Sequence, residues 1–390
     1  MKTQQGHSES IEDYLRLTHA EGVGPVLFGR LVKQFGSVAA ALDTSVAAMT
    51  KVEGIGMATA EKIARSRGSF EAQKEIELAD KHGATLIHWD DARYPAALKS
   101  VYDPPPVLYV RGTLTRSDAL SVAIVGSRRC SVYGAEQASR FAHLLAASGF
   151  TIASGLARGI DTAAHKGAIS AKGRTIAVQG CGLANVFPPE NDKLAAMIAE
   201  SGAVVSELPM SYEPLAENFP ARNRIIAGLS LGVLVVEAPH NSGALLSAKA
   251  ALEYDRDVMA VPGKIDSPLS GGCHKLIKDG AKLVDSLDDI LEAIGCVGQE
   301  LKPHVAGAAQ QAEENAQATL FDSVNRNLSD VERGVLKEFD GDPMHVEQVI
   351  ARSGLTAGQV HSSLIGLQLK GMVKQLPGGL YMSKVKLKSL

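Results

Sequence analysis

A chain of 390 residues with 45% hydrophobic and 21% charged residues can bury at least one large core and is long enough for two or three domains. Its formal net charge of −3 at pH 7 excludes a protein that holds polyanions through overall charge, so any nucleic-acid contact has to come from a local patch. The start, MKTQQGHSESIEDYL, lacks the apolar run of a secretion signal, and no later stretch is as long and apolar as a membrane span, so a cytoplasmic location without membrane contact is expected.

Residues 1–82 carry a helical pattern. IEDYLRLTHAEGVGPVLFGRLVKQFG and VEGIGMATAEKIARSR each place a short glycine-containing turn between amphipathic segments, which predicts a small helical module. VEGIGMATAEKIA resembles a helix-hairpin-helix, in which Gly54 and Gly56 would expose amides to a DNA phosphate. Glu53 and Glu61 beside them would repel that phosphate, so the expectation is a tight turn in a packed helical domain.

From TLIHW onward, residues 83–296 alternate short β-branched runs with Ala- and Leu-rich helical ones. Strands are predicted in VAIVG, TIASG, TIAVQG, AVVSEL, GVLVVEA and VMAVPG, giving an α/β unit with a doubly wound, mostly parallel sheet. Residues 297–326 lose periodicity and fill with Ala, Gln and Glu, as a flexible linker does. The stretch 327–390 then reads as helix, helix, helix and hairpin, with a Ser N-cap before DVERGVLKEF and two strands around Pro-Gly-Gly, the order of a winged helix. Its third helix has little positive charge before Lys370, so DNA reading, partner docking and a structural role all stay open. The basic tail SKVKLKSL is short and reads as solvated.

Chemistry concentrates in the middle unit. VAIVGSRRCSVYG runs from a strand through a glycine turn into a helix, an arrangement that offers free amides and a positive dipole end to an anion. That anion could be a nucleotide, a phosphorylated metabolite or a nucleic-acid backbone. A dinucleotide site wants G-x-G-x-x-G and an acid at the end of the next strand, and a P-loop wants G-x-x-x-x-G-K-[ST]. Neither occurs: Gly126 is followed by Ser127, Arg128, Arg129, Cys130 and Ser131, and the next strand ends in Ser154-Gly155. Arginine beside exposed amides suits repeated phosphates. Similar chemistry recurs in SGLARGID with Gly155 and Arg158, in FPARNRIIAG with Phe219, Arg222, Asn223 and Arg224, and in the Ser-Gly turn at Gly243. Loops at the carboxyl ends of such strands converge on one surface. The arginines also have a structural alternative, pairing of Arg222 and Arg224 with Glu217 or Glu237. The four cysteines, Cys130, Cys181, Cys273 and Cys296, form no CxxC pair, so no metal, no disulfide framework and no cofactor is expected.

Seven stretches, VAIVGSRRCSVYG, TIASGLARGIDTAAHKGAI, TIAVQGCGLANVFPPEN, GAVVSELP, FPARNRIIAGLSLGVLVVEA, SGALLSAKAALEYDRDVMAVPG and GGCHKLIKDGAKLV, resemble the DNA-processing protein A family, also called Smf. The resemblance spans the whole middle unit, and the flanking modules also occur in that family. It implies a Rossmann-like core that binds single-stranded DNA, forms a homodimer and loads the RecA recombinase during natural transformation, without enzymatic activity. The family's GSR motif falls on Gly126, Ser127 and Arg128, and its FPxRNR motif on Phe219 to Arg224. Phe219 would pack against a base or the core, while Arg222, Asn223 and Arg224 would bind phosphate or orient the groove. Ser131, Gly155, Arg158 and Gly243 complete the expected nucleic-acid site, with Lys166 and Lys249 on helices behind the glycine loops. His274 and Ser247 stand where the family often has Asn and Thr. The apolar strands VMAVPG and LGVLVVEA predict dimerisation through the C-terminal half of the sheet.

An enzymatic alternative comes from the likeness of this core to nucleotide phosphoribohydrolases. Asp161 and His165, four residues apart on a helix, would be an acid/base pair near Glu207 or Glu237. The Pro-Gly-Gly-x-Gly-Thr loop of those enzymes is missing. The expectation is therefore that Asp161 caps its helix and His165 packs against a neighbouring strand.

Overall fold

The structure, a computed structural model, describes residues 10–295, 328–339, 344–369, 372–376 and 380–383. The chain forms two compact units, residues 1–312 and 313–390. The first opens with six helices, α1 (Ile11–Thr18), α2 (Pro25–Phe35), α3 (Val38–Asp43), α4 (Val46–Met49), α5 (Met57–Ser66) and α6 (Ala72–Lys81). Two matching turns precede α2 and α5: Gly22 and Gly54 have φ of 87° and 86°, and Gly24 and Gly56 are the N-caps. The left-handed backbone is why glycine stands at the first of each pair. Arg30 of α2 pairs with Glu53 before the second turn, and Lys62 of α5 pairs with Glu21 before the first, each at 3.4 Å. The two hairpins thus brace each other crosswise, and Glu53 faces a cation of its own chain.

These helices share a core with the sheet: Tyr14, Phe28 and Leu31 belong to one buried cluster with Tyr109, Ala177 and Val204. The sheet comprises β1 (Ala84–His88), β2 (Val107–Gly112), β3 (Ser121–Val125), β4 (Thr151–Ser154), β5 (Thr175–Val178), β6 (Ala203–Ser206), β7 (Gly232–Val235), β8 (Asp257–Ala260) and β9 (Lys282–Leu283). Its order is β1-β2-β6-β5-β4-β3-β7-β8-β9. From β6 to β9 all pairings are parallel; β2 pairs antiparallel with β6 and with β1. The sheet is the doubly wound, mostly parallel one expected, extended by this antiparallel edge and by the short β9.

The connecting helices are α7 (Ala96–Lys99), α8 (Val132–Ala147), α9 (Ile160–Ser170), α10 (Asp192–Ser201), α11 (Asn218–Leu229), α12 (Leu245–Glu253), α13 (Gly271–Lys278) and α14 (Leu287–Ala293). Alternation along the strands divides the core. Val122 and Ile124 of β3 pack with Phe141 of α8 and Ala164 of α9, whereas Ala123 and Val125 pack with Ile225 of α11 and Ala248 of α12. Burial on both faces explains why these strands read as continuous apolar runs. With β4 on one side of β3 and β7 on the other, the strand order reverses beside β3, and a crevice opens there at the carboxyl ends.

The second unit holds α15 (Asp330–Lys337), β10 (Met344–His345), α16 (Val346–Ser353), α17 (Ala357–Leu369), β11 (Val373–Leu376) and β12 (Leu380–Ser383). It is a winged helix, with sheet order β10-β12-β11 around a core of Leu336, Val349, Val360, Leu364 and Tyr381. Ser329 and Glu332 form a capping box on α15, and Gly354 at φ 66° ends α16. The linker 297–326, Cys296, Lys370, the Pro-Gly-Gly turn and the tail beyond Ser383 lie outside the described residues. Among the described residues, no helix is long and apolar enough to cross a membrane, and no grouping of His, Cys, Asp or Glu is placed to hold a metal.

At the amino ends of the parallel strands, the nearly buried Asp118 accepts from Arg174 Nε and Nη2, both at 2.9 Å, and from Thr151 Oγ1 at 2.8 Å. Arg174 also donates to the carbonyls of Thr113 and Ser201 at 2.8 Å. Replacing one partner of such a pair leaves an uncompensated charge. Asp118→Ala is expected to lower unfolding free energy by about 3 kcal/mol in a denaturant titration, while ligand affinity at the opposite end of the strands stays unchanged.

Candidate nucleic-acid interface

Loops leaving β3, β4, β5, β7 and β8, together with the start of α11, enclose a groove of about 760 Å³. α11 begins with Asn218-Phe219-Pro220 and turns Arg222 inward. Arg222 is only 4% exposed. Its Nη1 donates to the carbonyl of Gly155 at 2.5 Å and to that of Val178, so one guanidinium ties the ends of β4 and β5 to α11. A Cβ on Gly155 would lie 2.6–2.7 Å from the guanidinium, which is why glycine stands there. Burial lowers the Arg222 pKa to about 10, opposed by nearby Asp161, and the group remains a cation at neutral pH.

Asp161 sits at the start of α9 and accepts from the Ala157 amide at 3.3 Å. Burial pushes its pKa up to about 6 against the pull of Arg222 and the Ala157 amide. His165, one turn later, is fully buried and bonds Thr175 through Nδ1 at 2.7 Å. Desolvation drops its pKa to about 3, so it is neutral. Glu207 is held by Arg224, and Glu237 by Ser131. The acid/base arrangement of the enzymatic alternative is therefore not assembled. His165 packs against β5 as expected, but Asp161 does not cap α9: the N-cap is Gly159, which has no side-chain cap bond, and the Asp161 carboxylate instead holds the loop before the helix through the Ala157 amide.

The β3–α8 loop differs from its sequence-based reading in one respect. Ser131 caps α8 through the Gly134 amide at 3.0 Å, and the buried Glu237 carboxylate accepts from both the Ser131 amide and its hydroxyl at 2.7 Å. A Cβ on Gly134 would meet Glu237 Oε2 at 2.5 Å. The positive end of α8, expected to hold an external anion, is filled by the chain's own carboxylate. The Ser127 amide donates to the Glu237 carbonyl at 2.6 Å, and the Arg129 amide to Ser127 Oγ at 3.1 Å. What this loop offers the groove is therefore side-chain charge. Arg128 and Arg129 are both exposed and line it, and among the described residues neither has an acidic partner. The Arg128 guanidinium lies 5.1 Å from the Phe219 ring centroid, with Arg222 at 6.0 Å and the Phe187 ring at 5.4 Å. Phe219 is thereby held by cation–π and aromatic contacts.

Of the residues expected at the site, Gly126, Ser127, Arg128, Phe219, Arg222, Asn223 and Gly243 line the groove. Asn223 donates to the Gly243 carbonyl at 3.2 Å, joining α11 to the loop after β7. Ser131 and Gly155 stand behind the lining as described. Arg224 turns away from it, to Glu207 and to Asp103 at 3.5 Å. Burial opposes its charge, but the two acids outweigh that and raise its pKa. Neither arginine pairs with Glu217 or Glu237, which corrects that structural alternative. Arg158 is exposed and pairs with Glu190; Lys249 is exposed and lies 3.7 Å from Glu253; Lys166 is exposed on α9. Sequence reasoning missed Arg129, Phe187 and Asp161 as lining residues. Arg129 was signalled by its place beside Arg128.

Residues 85–295 match the family described as DNA recombination-mediator protein A, residues 316–379 the DprA winged helix domain, and residues 14–67 the SAM-like helix-hairpin-helix tandem. Protein Smf of Synechocystis is 36% identical over 388 residues, covering 94% of this chain and 97% of that protein. The DNA processing protein DprA of Streptococcus pneumoniae is 47% identical over 201 residues, 52% of this chain and 71% of that one. The X-ray structure of DNA processing protein A from Streptococcus pneumoniae aligns with a TM-score of 0.63 at 35% identity, covering 73% of this chain and 98% of that chain.

Two outcomes are expected of the groove floor. Gly155→Ala should displace Arg222 and cost about 1–3 kcal/mol of stability, as overpacking does, read from a shifted denaturation midpoint. Asp161, raised from 3.8 to about 6, keeps its proton in the folded state over a range where the unfolded chain has lost it. Its contribution is therefore greatest below pH 4, falls as pH rises toward 6 and is flat above. Unfolding titrations should show the wild type losing stability relative to Asp161→Asn across that window; parallel profiles would contradict it.

Proposed function

The chain belongs to the DNA recombination-mediator protein A family, and from that premise we propose that it is a single-stranded DNA-binding protein that protects incoming DNA and loads RecA during natural transformation. The observation that carries the reading is the pair Arg128 and Arg129, exposed and, among the described residues, without acidic partners at the mouth of a groove at the sheet's switch point. Guanidinium groups match phosphate geometry, and the partly exposed Phe219 beside them is a surface for base stacking.

In this reading Arg128 and Arg129 contact phosphates, and Gly126, Ser127, Asn223 and Gly243 shape the channel. Arg222 with Gly155, and Ser131 with Glu237, hold those loops in place, and Arg224 fixes α11 from behind. Arg158, Lys166 and Lys249 are outer contacts; the exposed pairs Arg158–Glu190 and Lys249–Glu253 open at little cost. The binding function resides in residues 83–296, with 1–82, 297–326 and 327–390 as helical module, linker and winged helix. The protein acts in the cytoplasm as a homodimer, joined through the C-terminal half of the sheet, and as a binder that uses no cofactor and catalyses no reaction.

Arg128→Ala and Arg129→Ala should each weaken single-strand binding by more than ~1 kcal/mol, the low end for a charge-assisted contact, with an unchanged unfolding midpoint. Wild-type affinity in both variants would remove these loops from the site. Mass measurement at micromolar concentration should return a dimer, and a strict monomer would contradict that part of the proposal. With purified RecA, the wild type should shorten the lag of filament formation on a single strand and Arg128→Ala should not.

A further inference from the structure

One side chain lining the groove carries the wrong sign for a polyanion. Asp161, only 6% exposed, stands in the groove wall with Arg128, Phe219 and Arg222. Its carboxylate accepts from the Ala157 amide at 3.3 Å, a long bond for such a pair, and among the described residues it forms no ion pair. Arg222 is near enough for the two charges to act on each other, but its Nη1 is turned to the carbonyls of Gly155 and Val178. Arg128 acts on the same guanidinium. The three side chains therefore form one electrostatic cluster, in which the carboxylate offsets one of two cations. The neighbouring groups leave Asp161 as the member that exchanges a proton. His165, on the same helix, is buried and drops to about 3, and burial pushes the Cys181 thiol beyond β5 up to about 11. β3 and β4 bring no ionisable side chain, and Asn191, ahead of α10, binds the Leu156 carbonyl. Arg158 is paired with Glu190, and Glu237 is bonded to Ser131. On α8, His143 is bonded to Ser170 at the far end of the two helices.

Resting on the reading of the groove as a single-strand site, we propose that the strand binds with uptake of one proton at Asp161, so that the groove holds DNA more tightly as the solution is acidified. Two like charges in one poorly solvated site disfavour each other's ionisation, and of the two only the carboxylate can take a proton near neutrality. Burial already pushes Asp161 up to about 6, against the pull of Arg222 and of the Ala157 amide, and a phosphate arriving in the groove pushes it in the same direction. Protonation leaves the charge of Arg222 unopposed beneath the strand. The sign follows by linkage. Below about 6 the carboxyl is neutral with or without the strand, and affinity is at its ceiling. As pH rises through the higher value that Asp161 has in the complex, the proton is lost and affinity falls; above that value it is flat again.

The test uses the full chain and an oligothymidylate of about 16 nucleotides, at constant salt, between about pH 5 and about pH 8. Wild-type affinity should fall several-fold across that range, no more steeply than about tenfold per pH unit, the limit for one proton. Binding in weakly buffered solution at about pH 7 should draw protons from the medium. Asp161→Asn should flatten the profile and abolish the uptake, and His143→Gln should change neither. A flat wild-type profile without proton uptake overturns the proposal whether or not Asp161→Asn folds, and so does a sloping profile that Asp161→Asn leaves as it was. Arg128→Ala should weaken binding at every pH and keep the slope. A flat wild-type profile with Arg128→Ala still weakened removes only the role of Asp161, whereas wild-type affinity in Arg128→Ala at every pH would sink the groove reading itself.

Discussion

The groove depends on one buried cation. Arg222 reaches from α11 to the carbonyls of Gly155 and Val178, which end β4 and β5, with Asp161 close by to offset its charge. A guanidinium taken out of water is costly unless hydrogen-bonded and balanced, and here the balance comes from loops on several strands. Those loops are therefore fixed relative to one another before any ligand arrives. Phe219, one turn earlier on α11, is positioned by the same arginine from one side and by Arg128 from the other.

Around this brace the arginines divide their labour by burial. Arg222 and Arg224 are committed to internal acceptors, whereas Arg128 and Arg129 face solvent and, among the described residues, have no acidic partners. Because the chain's overall charge is negative, any site for a polyanion has to be built from local charge of this kind. Glu237 completes the separation. By filling the positive end of α8 and accepting from Ser131, it holds the β3–α8 loop so that the two arginines project outward.

Much of this was legible in the sequence, and the remainder fails for identifiable physical reasons. The parallel strands announced themselves because both faces of each are buried, leaving short β-branched runs such as VAIVG and TIAVQG. Convergence of the glycine- and arginine-bearing loops followed from where a doubly wound sheet places its strand ends. The antiparallel strand β2, VLYVRG, sits among prolines at the sheet's margin and gave no periodic signal. Which arginine is buried was not readable, since FPARNR presents Arg222 and Arg224 alike, and only the packing of α11 against β4 and β5 distinguishes them. Nor was the Glu237–Ser131 pair, whose partners lie 106 residues apart. That contact replaced the expected external anion at α8, and nothing local in VAIVGSRRCSVYG marks it.

The central claim is that the groove holds a phosphodiester backbone and not a single nucleotide. The most direct measurement is the affinity of the wild-type chain for a single strand, a duplex and a nucleoside monophosphate across a series of salt concentrations. The account predicts tight single-strand binding that weakens with salt at about −0.7 in log–log slope per neutralised phosphate, with weaker binding of the duplex and of the mononucleotide. A mononucleotide held as tightly as the strand, with a shallow salt dependence for both, would contradict it.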